Sequence, residues 1–104
     1  MDRNKQIQKI EDDLMSIFRG LMCGNINYTL SRLHSVMGAD ICTLFDEAVG
    51  DFVLKVDSGK DVSDEELCLL YDNLVAFKED FEIEELDSLI EQVNKMKGNS
   101  QTNK

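Results

Sequence analysis

Residues 40–57 read Asp-Ile-Cys-Thr-Leu-Phe-Asp-Glu-Ala-Val-Gly-Asp-Phe-Val-Leu-Lys-Val-Asp, and the fold class turns on whether this stretch is helix or strand. Ile41, Leu44, Phe45, Ala48, Val49, Phe52, Val53 and Val56 recur at steps of three and four, the period of one helix face. The second half also alternates, so that Phe52, Leu54 and Val56 would share one face of a strand. A strand needs a partner, and no second alternating run exists in the chain to supply one. The stretch is read as helix, with Asp40 as its N-cap.

The same period recurs on both sides of this segment. Upstream, a helix is expected from about Asn4 to Met22, with Ile7, Ile10, Leu14, Ile17, Phe18 and Leu21 on one stripe and Gly24 at the left-handed position that closes a helix. Asn25 is then expected to cap a short helix carrying Ile26, Leu30, Leu33 and Met37, stopped by Gly38. Downstream, Asp57 to Asp61 read as a turn. Ser63 followed three residues later by Glu66 is a capping box, opening a helix with Leu67, Leu70, Tyr71, Leu74 and Val75 inward. The pattern changes phase around Glu79 to Glu82. A last helix, Ile83 to Lys97, would bury Leu86, Leu89, Ile90, Val93 and Met96. Residues 98–104 read as a disordered polar tail. The expectation is one all-α domain over residues 1–97, a compact antiparallel bundle of four to five amphipathic helices.

Composition agrees. The chain has 104 residues, no proline and no tryptophan, and is 42% hydrophobic, enough apolar surface to offset the entropy of ordering a single domain. That length excludes a multidomain enzyme. No apolar run approaches the roughly 18 residues of a membrane span, and no basic-then-apolar leader opens the chain. Cys23, Cys42 and Cys68 are odd in number and widely spaced, which suits reduced thiols in a cytoplasmic protein.

Charge is more informative. The net charge is −10, and the excess is concentrated: residues 61–91 hold twelve acids and Lys78 as their only base. A surface of that sign repels phosphate backbones, which argues against direct nucleic-acid binding, and attracts a basic partner.

Catalytic apparatus is not visible. There is one histidine, no Ser-His-Asp set and no glycine-rich phosphate loop. The adjacent carboxylates Asp12-Asp13, Asp64-Glu65-Glu66 and Glu84-Glu85 lack an apolar setting that would separate two pKa values. Asp57-x-Gly59-x-Asp61 has the opening spacing of a calcium loop, but Val62 occupies the glycine position and Cys68 the bidentate-glutamate position. One histidine and three scattered cysteines make no zinc pattern. No metal, cofactor or catalytic residue is expected.

His34-Ser35-Val36-Met37-Gly38-Ala39 resembles the H-x-L-K-G-[AS] motif of histidine phosphotransfer domains, which are also small and often acidic helical bundles. That resemblance implies His34 as phosphoacceptor in a signalling module. Met37 stands where the family has the lysine that steadies the phosphoryl charge.

The acidic stretch carries a different expectation. Asp64, Glu65 and Glu66, and likewise Glu84 and Glu85, fall where a helix opens and complement its dipole. Asp61, Asp72, Glu79, Asp80, Glu82 and Asp87 have no such explanation. Leu69 projects away from the Leu67, Leu70 and Leu74 stripe, and its helical neighbours include Glu65 and Asp72. An apolar centre with a charged rim has the layout of a protein-binding patch. Tyr28 and Leu54 also lie off the main stripes, and the wide apolar arc of the first helix, with Met15 and Met22 on its shoulder, fits either two packing neighbours or a homodimer seam. The leading expectation is a non-enzymatic acidic protein that binds a protein with a basic surface, such as a nucleic-acid-processing enzyme. Immunity proteins and phage anti-defence proteins that imitate the charge of DNA are analogues in size and charge. The alternatives are the phosphotransfer module and a small helical subunit or adaptor of a larger complex.

Overall fold

The computed structural model describes residues 3–29 and 40–102, the side chains of 97–102 excepted. Four helices and no strand are found among them: α1 (Arg3–Cys23), α2 (Ile41–Asp57), α3 (Asp64–Phe81) and α4 (Leu86–Thr102).

The residues at 40–57 form helix to the end, the strand-like alternation included. Asp40 caps it, its carboxylate accepting the Cys42 N–H at 2.9 Å. Ile41, Phe45, Val49 and Phe52 are buried, whereas Leu44, Ala48, Val53 and Val56 pack only partly against the core. α2 ends in a left-handed Gly59 (φ 74°), with the Gly59 N–H on the Val56 carbonyl and the Lys60 N–H on the Lys55 carbonyl, both at 3.0 Å. These are the paired bonds of a Schellman closure.

α1 buries the expected stripe, with Phe18 at its margin. It closes in the same way: Gly24 is left-handed (φ 75°), its N–H meets the Leu21 carbonyl and the Asn25 N–H meets the Gly20 carbonyl. Here the structure corrects the sequence reading. Residues 25–29 are not helical, and Asn25 caps nothing. Ile26 instead folds back over Gly20, so close that a Cβ on Gly20 would lie 2.5 Å from Ile26 Cδ1. The chain then crosses to α3, where the Thr29 N–H donates to the Phe81 carbonyl at 2.8 Å. The rest of the expected helix, residues 30–38 with His34, lies outside the described residues.

The capping box is present: Ser63 Oγ accepts the Glu66 N–H and Glu66 Oε1 accepts the Ser63 N–H. Glu66 also takes a hydrogen bond from Lys55 of α2; that bond, with the backbone bond at Ser63, holds its carboxyl down to about 2. α3 buries Leu67, Leu70, Leu74, Phe77 and Phe81, while Tyr71 and Val75 are only half-buried. It ends on a left-handed residue that is not glycine, Glu82 (φ 56°), whose N–H returns to the Lys78 carbonyl at 2.7 Å. This reversal is the phase change seen in the sequence, and it moves the start of the last helix. Ile83 is fully buried but lies in the connection, and α4 begins at Leu86 rather than Ile83. Glu84 and Glu85 therefore precede the helix, and Asp87 is the acid in its first turn. The backbone of α4 runs on to Thr102, past the expected end at Lys97, because Gly98 weakens a helix without stopping it.

Each helix packs on the next in sequence and α4 closes back on α1. The apolar stripe of α1 is thus covered by α2 and α4, while Met15 and Met22 on its shoulder stay exposed. Phe18 of α1, Phe45 of α2, and Phe77 and Phe81 of α3 form a chain of ring contacts with centroids 4.5–6.5 Å apart. No described helix is long and apolar enough to cross a membrane.

Candidate functional site

α3 carries the residues on which the sequence reading rests. Its inward stripe is fixed by Leu67, Leu70, Leu74 and Phe77. A helix that buries one stripe must present the opposite one, and steps of four and three from Glu65 reach Leu69, Asp72, Ala76, Glu79 and Asp80. All six are exposed, and Leu69 keeps 60% of its surface in solvent. Leu69, Glu65, Asp72, Glu79 and Asp80 are therefore brought onto one face.

The other three candidates are placed elsewhere. Asp61 is exposed in the connection between α2 and α3. Glu82 and Asp87 lie beyond the far end of α3, which at 18 residues is about 27 Å long. Both have local partners. Thr29 Oγ1 donates to Glu82 Oε2 at 3.2 Å, fastening the segment after α1 to the end of α3. Asp87 pairs with Lys78, and that hydrogen bond, reinforced by the charges of Asp87, Glu79 and Glu84, raises the lysine above its usual range despite some opposing desolvation.

None of the five ion pairs found among the described residues involves an acid of the outward face of α3. Arg3 reaches Asp64 at 3.1 Å, Lys9 reaches Asp13 at 3.0 Å, Lys95 reaches Glu91 at 3.2 Å, and Lys55 and Lys78 pair with Glu66 and Asp87. Exposed pairs of this kind add little stability each, but they show where positive charge is placed. None of Glu65, Asp72, Glu79 and Asp80 forms an ion pair with a described residue.

One residue that the sequence reading passed over stands out. Glu11 of α1 is 5% exposed, the one buried charged side chain among the described residues, and its Oε2 is buried without a hydrogen-bond donor. Oε1 accepts the Gln8 amide at 2.6 Å. Facing Glu11 from α2 is the carboxyl of Asp57, a second acid. Burial, the hydrogen bond that its protonated form makes with Asp57, and the nearby charges of Asp57 and Asp12 together raise the Glu11 carboxyl above its usual range. Position 11 falls between Phe18 and Met15 on the helical wheel, inside the wide apolar arc of α1, and that placement was the available signal. Asp13, two residues on, is the contrasting case: burial pushes it up, but hydrogen bonds from Gln92 of α4 (3.0 Å) and Lys9 outweigh this and hold it below its usual range.

No group of three or more metal-ligating side chains converges among the described residues. Cys23, Cys42 and Cys68 are free, and burial raises the Cys42 thiol, with Asp40 adding to the effect. No protein-family model matches the chain, and neither a curated protein nor a solved structure matches it.

Proposed function

We propose that the chain is a non-catalytic protein-binding module whose outward α3 face engages a partner with a basic surface, in the manner of a small acidic inhibitor of a nucleic-acid-processing protein. The observation that carries this reading is the exposed Leu69 among Glu65, Asp72, Glu79 and Asp80, four acids on one helix face that form no ion pair with a described residue. Unneutralised acids steer a basic partner into encounter, and an exposed leucine gives the complex an apolar centre that charge alone does not. The short links on either side of α3 support an antiparallel arrangement of the four amphipathic helices, which would hold α3 rigidly from behind.

Affinity purification from the native host at low salt tests this, with the wild-type chain and an Asp72→Lys/Glu79→Lys variant as parallel baits. The proposal expects a basic protein that co-elutes with wild type and is depleted with the variant, while both baits give the same far-ultraviolet spectrum. Equal recovery with the two baits would overturn it.

A further inference from the structure

A second site lies between α1 and α2, away from the outward face of α3. Met15 and Phe18 of α1 and Val49, Val53 and Leu54 of α2 border an apolar cleft of about 250 Å³. Two carboxylates, Asp46 and Asp57, stand in its lining, and Asp57 is the acid that faces Glu11. Met15 is 39% exposed and Leu54 67% exposed, so the rim offers apolar surface beside the two carboxylates.

Two features, one beside the cleft and one in it, bear on what it could take. The first is Glu11, outside the lining but facing the lining residue Asp57, nine-tenths buried with an oxygen that no donor reaches. The group facing it is another acceptor, so the two carboxyls need a shared proton, a cation or a bridging donor between them. The second is Gly50. Glycine is the poorest interior helix residue after proline, and a structural glycine normally has a reason in packing or backbone conformation. Gly20 has one, since a Cβ there would collide with Ile26. Gly50 does not: a Cβ would meet only the carboxylate of Asp46 at 3.4–3.8 Å, an ordinary contact within the same helix. It lines the cleft, where a missing side chain leaves room.

We infer that the α1–α2 cleft receives a basic amphipathic segment of the partner, an apolar side chain entering over Gly50 and a neighbouring lysine or arginine meeting Asp57 or Asp46. The cleft is below the roughly 300–1,000 Å³ of small-molecule sites, a size for one or two side chains. Its carboxylates fix the sign of the charge, and the absence of a third ligating group among the described residues favours an ammonium or guanidinium over a metal ion. The inference deepens the reading of a basic partner and uses none of the α3 residues.

The test is a nuclear magnetic resonance titration of the full chain with a twelve-residue peptide of alternating leucine and arginine pairs, and with a leucine–glutamate peptide of the same length as control. The basic peptide is expected to shift the amides around Met15, Gly50, Leu54 and Asp57 saturably, and the acidic peptide to leave them in place. Gly50→Ala is expected to weaken peptide binding at least tenfold while raising the melting temperature, a combination that a merely structural glycine does not give. Asp72→Lys/Glu79→Lys is expected to leave these shifts unchanged, so failure here is distinguishable from failure of the α3 reading. Unchanged affinity in Gly50→Ala, shifts confined to α3, or self-association through the same amides without peptide would each overturn the inference.

Discussion

Replacing Glu11 by methionine should make the protein more stable at pH 7. The glutamate is 5% exposed with Oε2 lacking a donor, and leaving a buried acceptor unmet costs about 1–3 kcal/mol. Methionine has a similar length, no polar atom and the flexibility to fill the same space. The substitution also removes the hydrogen bond from Gln8 to Oε1, whose net worth is about 0.5–1.5 kcal/mol, but the Gln8 amide keeps Asp12 Oδ1 as an acceptor at 3.2 Å. The balance is a gain of about 1 kcal/mol, or about 4 °C in melting temperature for a domain of this size. pH separates this cause from general packing. The folded state holds the Glu11 proton more tightly than the unfolded chain, so the glutamate's favourable contribution is complete below its ordinary value of 4.5 and is lost as pH rises above it. The advantage of Glu11→Met should therefore be large at pH 7 and shrink towards pH 4, where the protonated carboxyl can donate to Asp57. Urea unfolding of both proteins at pH 4, 5, 6 and 7 measures this directly. A variant less stable than wild type by the same amount at every pH would refute the reasoning, because the carboxylate would then be a stabilising group.

Three further outcomes follow from the packing and caps. Leu74→Ala, at a fully buried position, should cost about 2–5 kcal/mol in urea unfolding, whereas Leu44→Ala should cost clearly less because Leu44 is only partly buried. The depressed carboxyl of Glu66 contributes stability above its ordinary 4.5 that is lost as pH falls towards about 2, so Glu66→Gln should flatten the acid limb of the stability curve in a circular-dichroism titration. Glu82→Gly should leave stability unchanged or raise it by about 1 kcal/mol in urea unfolding, since relief of the left-handed backbone outweighs loss of the exposed Thr29 hydrogen bond.

The parts of the fold that local chemistry determines were legible in the sequence. The period of residues 41–56, the Asp40 cap, the Ser63–Glu66 box and the glycines closing α1 and α2 depend only on neighbours within a turn or two. The outward face of α3 was legible for the same reason, since an inward stripe implies its opposite. What escaped depends on contacts far apart in the chain. Ile26 looks like a helix residue until Gly20 is seen as the floor it folds onto. Ile83 reads as the start of a helix, yet it reaches the core from a connection, after a left-handed turn made at a glutamate where glycine is the usual signal. The acid-to-base pairing was equally hidden, because Arg3 and Asp64 are separated by 61 positions. Asp87 and Glu82 consequently looked like part of the binding face, whereas each is engaged at the end of a helix. The α1–α2 cleft had one overlooked sign, a glycine in the middle of an otherwise well-formed helix.

The central claim, that α3 presents a functional acidic face with Leu69 as its anchor, is tested most directly by stopped-flow association of the isolated chain with the partner recovered at low salt. Between low salt and physiological ionic strength the screening length contracts to about 8 Å. The account predicts that the on-rate falls steeply over this range for the wild type and only weakly for Asp72→Lys/Glu79→Lys. It also predicts that Leu69→Ala leaves the on-rate in place and raises the off-rate about tenfold or more, equivalent to a hot spot of at least about 1.4 kcal/mol. On-rates that are indifferent to salt and to the charge reversals, with an unaltered off-rate in Leu69→Ala, would contradict it.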